Sequence, residues 1–313
     1  MSSSPTSVFL DSATVGSEQI LSPLAELGEL TTYDYTRADQ TVARLTGAQI
    51  AITNKVAIGK RELSQLPDLR LICVAATGTN NIDREAAQGR GIPVRNVAGY
   101  STNAVAQLTL TTLFALSYDL IHLNEAVYNG TYRDSPSFAY WRNDFYELSG
   151  ARFGIIGMGS IGKRVAELAT AYGAEVVYYS SSGQDRQPDY PRLSLEELLD
   201  TSEVVSIHAP LNNATQNLIA ATELQKMRNS AYLLNFGRGG IVNEADLAQA
   251  IDEGWIAGAA VDVYEQEPIV HDHPYLSVKQ KHRLLLTPHV GWASVEARMK
   301  LVAGIAENIK AGY

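Results

Sequence analysis

At 313 residues the chain is long for one hydrophobic core, so two domains are the natural expectation. Its 45% apolar content supports packed globular structure, and a net charge of −9 argues against a general nucleic-acid or acidic-membrane surface. No apolar run approaches the roughly 18–20 residues of a membrane helix, the opening M-S-S-S-P-T-S lacks the basic and apolar regions of a secretory signal, and the single cysteine, Cys73, sits in an apolar run as an inert thiol; a cytoplasmic setting is expected.

After a loosely tied start at 1–7, strands are predicted at 8–10, 31–35, 49–53, 69–74 and 91–96. Helices are predicted at 18–27 and around Leu63 and Leu66, the latter stopped near Pro67. Strands alternating with short helices imply a parallel sheet covered on both faces, so residues 1–98 read as a first α/β unit. A long helix follows at 101–118, then an aromatic-rich stretch over 128–147. Those aromatics either pack on their own domain or form a dimer contact, since aromatic side chains favour buried interface centres.

The second unit opens with I-I-G-M-G-S-I-G, which sets Gly157, Gly159 and Gly162 in a G-x-G-x-x-G pattern between a strand at 152–156 and a helix at 161–172. Glycine meets a different need at each position: a tight turn, close approach of backbone to a pyrophosphate, and close helix–strand packing. A dinucleotide's phosphates would lie at the helix N-terminus, where unpaired N–H groups favour negative charge. Further strands are predicted at 175–180, 204–208, 232–235, 258–263 and 284–286, with helices at 195–199, 221–227 and 244–253. This is the doubly wound pattern, in which ligands bind beyond the carboxyl ends of the strands. Ser180, Ser181, Ser182, His208, Arg238, Asp262 and His289 all fall at or just after such ends, along one expected crevice. A last helix at 294–311 comes too late for this sheet and is expected to return to the first unit.

A site that selects an unphosphorylated ribose usually carries an acid about twenty residues beyond the glycines. Here Ser180 stands at that strand tip, and Asp185 and Arg186 come later. Without the carboxylate there is no repulsion against a 2′-phosphate, and serines or Arg186 could donate to it. The cofactor is therefore read as NADPH or NADH, leaning to NADPH. Arg238, held between glycines in N-F-G-R-G-G, is suited to clamp a substrate carboxylate with its planar fork. His289 in T-P-H ends a strand and suits the role of general acid, the more so beside a carboxylate. Together they suffice to reduce a 2-oxo acid: Arg238 binds and polarises, a hydride arrives from the cofactor, and His289 delivers the proton.

G-M-G-S-I-G, N-F-G-R-G-G-I-V-N, D-V-Y-E-Q-E-P and T-P-H-V-G-W, in this order, resemble the D-isomer-specific 2-hydroxyacid dehydrogenase family over essentially the whole chain. The resemblance implies catalytic roles for Arg238, Glu267 and His289, and places Asp262 near the nicotinamide carboxamide. It also implies that A-T-G-T-N-N-I-D is a substrate-domain loop, with backbone around Thr77, Gly78 and Thr79 facing a substrate carboxylate. Two doubly wound parallel-sheet domains follow, a Rossmann cofactor domain at 99–286 inserted into a smaller substrate domain at 1–98 and 287–313. A homodimer through the cofactor domain is also implied.

The full cofactor set is read as Gly157, Met158, Gly159, Ser160, Ile161 and Gly162, then Ser180, Ser181, Ser182, His208, Ala209, Pro210 and Thr215. Phe236, Gly237, Arg238, Asp262 and His289 complete it. The substrate set is Asn54, Thr77, Gly78, Thr79, Arg238 and Trp292, whose small polar character suits hydroxypyruvate or glyoxylate, so a D-glycerate dehydrogenase-type activity is expected. A D-lactate-type or broad 2-oxoacid reductase, or a corepressor-like dinucleotide sensor, are the competing readings. His208 is either a cofactor-side or a structural residue. His122, His271, His273 and His282 read as surface or turn residues, and no metal is expected.

Overall fold

The chain divides into two units, Met1–Ser101 with Trp292–Tyr313, and Thr102–Gly291. The structure, a computed structural model, describes residues 5–184 and 189–312. In the first unit β1 (Thr6–Phe9), α1 (Glu18–Ala25), β2 (Glu29–Thr32), α2 (Thr41–Leu45), β3 (Ile50–Thr53), α3 (Lys60–Leu63), β4 (Leu71–Val74), α4 (Arg84–Gly89) and β5 (Val94–Asn96) follow one another. The strands pair in parallel in the order β2-β1-β3-β4-β5. Register explains the two cores. Val8 lies opposite Ala51 and Ala51 opposite Ile72 on one face, while Phe9, Ile52 and Cys73 align on the other. The C-terminal helix, Val295–Lys310, covers the second of these faces with Leu301, Val302 and Ile305. Burial there pushes the Cys73 thiol up to about 12, which keeps it protonated and unreactive.

The second unit contains α5 (Thr102–Ser117), α6 (Leu120–Tyr128), β6 (Arg152–Ile156), α7 (Ser160–Ala171), β7 (Glu175–Tyr179), α8 (Leu195–Thr201), β8 (Val204–Ile207), α9 (Ala221–Lys226), β9 (Tyr232–Asn235), α10 (Glu244–Glu253), β10 (Gly258–Val261) and β11 (Leu284–Leu286). Its parallel sheet runs β11-β10-β9-β8-β6-β7. Beyond β7 the chain touches the edge once more, through a single bridge between Tyr178 and Arg192. Successive strands therefore grow outward from β6 in one direction, then restart at β8 in the other. That reversal is the topological switch point at which open α/β sheets bind ligands. Helices α5 and α7 fill one face through Val105, Leu110, Val165 and Ala169, and α8, α9 and α10 fill the other through Leu198, Leu224 and Leu247. The fold is thus two parallel α/β domains, a Rossmann cofactor domain within a substrate-binding domain.

Several local expectations are corrected. β1 begins at Thr6, inside the segment read as loose, because its backbone pairs with β2 and β3. Leu66 lies beyond the end of α3. α2, α4 and α6 carry too short a periodic pattern to register; α4 is nonetheless marked by Asp83, whose carboxylate accepts the Ala86 N–H at 2.9 Å. The return to the first unit comes at Trp292, so His289 belongs with the cofactor sheet, not with the returning segment.

Candidate active site

Gly157 follows β6 with φ +95°, and a Cβ there would stand 2.8 Å from the backbone N and Cα of Ala209, just past β8. A Cβ on Gly162 would stand 2.2 Å from the Gly157 carbonyl oxygen. Both positions need glycine for the fold itself. Gly159 differs: a Cβ there meets nothing within 4 Å, so the space it leaves is available to a ligand at the first turn of α7. Met158 is buried in the α5–α7 core, Ser160 and Ile161 open the helix, and Ala209 is packed against Gly157.

His208 sits at the end of β8. Its Nε2 meets Ser206 Oγ at 2.8 Å, while the buried Nδ1 has no hydrogen-bond partner among the described residues. Burial pushes this imidazole down to about 3, so it is neutral at pH 7. An unpaired ring nitrogen beside the glycine loop fits a cofactor polar group. Pro210 is exposed, and Thr215 is buried, its hydroxyl donating to the Pro210 carbonyl at 2.6 Å and accepting the Asn212 N–H at 2.8 Å. Thr215 therefore shapes the loop from within. Ser180 is likewise buried and donates to the Gln184 carbonyl at 2.6 Å, whereas Ser182 is exposed. Ser181 is half-buried. Asp185 and Arg186 lie outside the described residues.

Three loops leave adjacent strands β9, β10 and β11 at their carboxyl ends. After β9, Asn235 shapes the turn: its Oδ1 accepts the Gly237 N–H at 3.3 Å and its Nδ2 donates to the Arg238 carbonyl at 3.2 Å. Phe236 and Gly237 are buried, while Arg238 is half-exposed, its guanidinium donating to the Gly237 carbonyl at 2.8 Å. Among the described residues it makes no ion pair. After β10 comes Glu267, and after β11 comes His289. His289 Nδ1 lies 2.8 and 2.7 Å from the two Glu267 oxygens. Because a carboxylate only accepts, Nδ1 carries the hydrogen and Nε2 is left facing outward from the pair.

His289 has φ +53°, the left-handed region, which costs a non-glycine residue roughly 1–2 kcal/mol. Asp262 holds it there. One of its oxygens accepts from Thr287 Oγ1 at 2.6 Å and from the Val290 N–H at 2.9 Å; the other accepts from the Gly291 N–H at 2.9 Å. This aspartate, which the resemblance places near the nicotinamide carboxamide, is buried and grips the histidine loop.

Tyr264, which the sequence reading passed over, joins all three loops. Its N–H donates to Glu267 at 3.0 Å and its hydroxyl to the Thr287 carbonyl at 2.8 Å. A Cβ on Gly239 would lie 1.9 Å from the Tyr264 carbonyl, so the arginine loop also abuts this residue. Burial, with Asp262, Glu267 and Glu244 nearby, pushes the phenol up to about 12, keeping it a donor. The only signal for Tyr264 was its place in D-V-Y-E-Q-E-P.

In the substrate-binding unit, Asn54 is buried, its amide donating to Thr14 at 3.1 Å and its N–H to Asp11 at 2.8 Å. Its described contacts are internal to that unit. Thr77 is exposed after β4, donating to the Val97 carbonyl at 3.3 Å; Gly78 and Thr79 are half-buried beside it. Trp292 packs edge-on against Tyr100 with ring centroids 6.4 Å apart. Two histidines read as surface or turn residues fare differently. His271 is exposed, but His273 is buried, because its Nε2 pairs with Glu244 at 2.9 Å and its Nδ1 accepts the Tyr275 N–H.

Comparison with known proteins makes this an NAD(P)-dependent oxidoreductase of the 2-hydroxyacid class. The NAD-binding domain of the D-isomer-specific 2-hydroxyacid dehydrogenases matches residues 110–291. The chain is 41% identical over 273 residues to the glycerate dehydrogenase of Methylorubrum extorquens, covering 87% of this chain and 85% of that protein. It is 32% identical to the hydroxypyruvate reductase of Blautia hydrogenotrophica, covering 92% and 90%. The crystal structure of the TT0316 protein from Thermus thermophilus superposes with a TM-score of 0.87 at 30% identity, covering 98% and 96%. The chain belongs to the D-isomer-specific 2-hydroxyacid dehydrogenase family.

Proposed function

We propose that this protein reduces small polar 2-oxo acids to D-2-hydroxy acids with NADPH or NADH, and that hydroxypyruvate and glyoxylate are its preferred substrates. The observation that carries this reading is the contact of both Glu267 oxygens with His289 Nδ1. The carboxylate selects the tautomer and holds the ring, so Nε2 is aimed to hand a proton to the nascent alkoxide. When bound, the nicotinamide supplies the hydride. Arg238 grips the substrate carboxylate with its fork and draws charge from the adjacent carbonyl. Gly157, Gly159 and Gly162 shape the turn that receives the pyrophosphate.

The leaning to NADPH rests on Ser180, which stands where an acid would accept a ribose 2′-hydroxyl and repel a 2′-phosphate. Its hydroxyl hydrogen is already committed to Gln184, so relaxed selectivity fits better than strict discrimination. The dimer reading rests on exposed apolar residues of the cofactor domain, Tyr128 and Phe138 at 85% and 93% exposure foremost. Light scattering on the purified protein checks it.

An initial-rate matrix of hydroxypyruvate, glyoxylate, pyruvate and phenylpyruvate against both cofactors tests the activity. The two small polar acids should have kcat/KM about tenfold or more above the others, with NADPH at least equal to NADH. Phenylpyruvate as best substrate would overturn the substrate assignment, and a hundredfold preference for NADH the cofactor leaning.

A further inference from the structure

The second unit holds two histidine–glutamate pairs, and only one has been given work. Behind the loop that carries Glu267, His273 is 3% exposed and Glu244, the first residue of α10, is 12% exposed at the side chain. Their contact is 2.9 Å, from Nε2 to Oε2. Since His273 Nδ1 accepts from the Tyr275 N–H at 3.3 Å, Nε2 carries the hydrogen; it lies at ion-pair distance from Glu244 but outside hydrogen-bond geometry, so the contact between them is electrostatic. The other Glu244 oxygen accepts the Glu265 N–H at 2.9 Å. One residue earlier, the Tyr264 N–H is accepted by Glu267 at 3.0 Å. Two consecutive peptide N–H groups are therefore read by two carboxylates, one buried and one at the site. The Tyr264 ring also meets His273 edge-to-face, at 5.7 Å and 89°.

We propose that the His273–Glu244 pair is a positioning clamp: it fixes the peptide at Glu265, hence the turn from which Glu267 reaches His289. The inference rests on the proposed roles of Glu267 and His289. His273 holds the Glu244 carboxylate in place through the close 2.9 Å contact of Nε2 with Oε2, and Glu244 transmits that placement through one backbone hydrogen bond. Misplacing a reacting group by about 1 Å costs up to a hundredfold in rate, so the clamp acts on the proton-transfer step more than on substrate affinity.

The test compares His273→Phe, His273→Gln and Glu244→Gln in the holoenzyme, with His289→Gln run alongside. Readouts are kcat, KM for the oxo acid, cofactor affinity by fluorescence titration, and the solvent deuterium isotope effect on kcat. In His273→Phe, kcat should fall roughly tenfold or more, with KM and cofactor affinity within about twofold and a larger solvent isotope effect. His273→Gln, which keeps a donor toward Glu244, should recover kcat to within about threefold of the parent. A folded His273→Phe with parental kcat and isotope effect overturns the clamp. So does a rate loss that leaves the isotope effect unchanged or that His273→Gln does not reverse. If His273→Phe fails to fold, Glu244→Gln decides, since its amide keeps one acceptor oxygen for two donors; parental kinetics there also overturn the clamp. Full activity in His289→Gln instead refutes the underlying assignment of the site.

Discussion

The two histidine–glutamate pairs of the cofactor domain use the same functional groups under different conditions. At His289–Glu267 the side chains are 24% and 29% exposed, and one imidazole nitrogen remains outside the pair. At His273–Glu244 Nδ1 accepts a backbone N–H, Nε2 touches the carboxylate at 2.9 Å without hydrogen-bond geometry, and the pair is enclosed. Chemistry needs an atom left over and open to a ligand; at His273 the remaining nitrogen faces only an enclosed carboxylate. His208 marks a third case, half-buried as a residue but with a buried, unpartnered Nδ1 and no carboxylate beside it, so desolvation pushes it down to about 3. Whether a carboxylate is adjacent, and whether the remaining nitrogen is open to a ligand, separates the three.

The largest expected effect breaks the comparison at its exposed member. His289→Gln removes the proton donor and should lower kcat by about 10²–10⁴. Glu267→Gln should act in the same direction, since the ring loses the carboxylate that fixes its tautomer and orientation. Glu265→Gln should stay near parental rates: its side chain is exposed, and what Glu244 reads is its backbone N–H. Steady-state kinetics on the three variants check this, and a larger loss in Glu265→Gln than in Glu267→Gln would reverse the assignment.

The next effect concerns His208 and is read in stability. Its folded-state value near 3 lies below the ordinary 6.5, so between these the unfolded chain binds a proton that the folded chain does not. Stability is therefore complete above about pH 6.5 and declines as pH falls toward 3, by about 2–3 kcal/mol at pH 4.5. His208→Gln should remove that share of the acid sensitivity in urea unfolding measured at pH 7.5 and 4.5. Equal pH dependence in variant and parent would mean that this imidazole is hydrated.

Much of this was legible in the residues. The glycine spacing carries a turn geometry, and strand-end polar residues in a parallel sheet share one edge, which is why Arg238, Asp262 and His289 could be gathered without coordinates. Side-chain direction on irregular backbone was not legible. His273, in a His-rich polar segment, turned into the core, where Glu244 meets it from a helix 29 residues earlier. Periodicity reports which face a strand residue takes; it says nothing about a loop whose hydrogen-bond partners come from other loops. For the same reason Tyr264 passed as one more aromatic in a motif.

Tyr264 also supplies the smallest effect and the finest test of the clamp. Tyr264→Phe deletes the hydroxyl that donates to the Thr287 carbonyl but keeps the ring against His273 and the N–H to Glu267. Thr287 O still accepts the His289 N–H at 3.0 Å, so it is not left unpaired. The loss should be about 1 kcal/mol, a fall in melting temperature of about 2–4 °C for a domain of this size, with kcat within about threefold of the parent. Because the phenol is held near 12 and stays protonated, the difference should not change between pH 6 and 9. If Tyr264→Phe instead loses as much kcat as His273→Phe, the hydroxyl's hold on the His289 loop, and not the Glu244 hold on the Glu267 turn, is what aligns the pair.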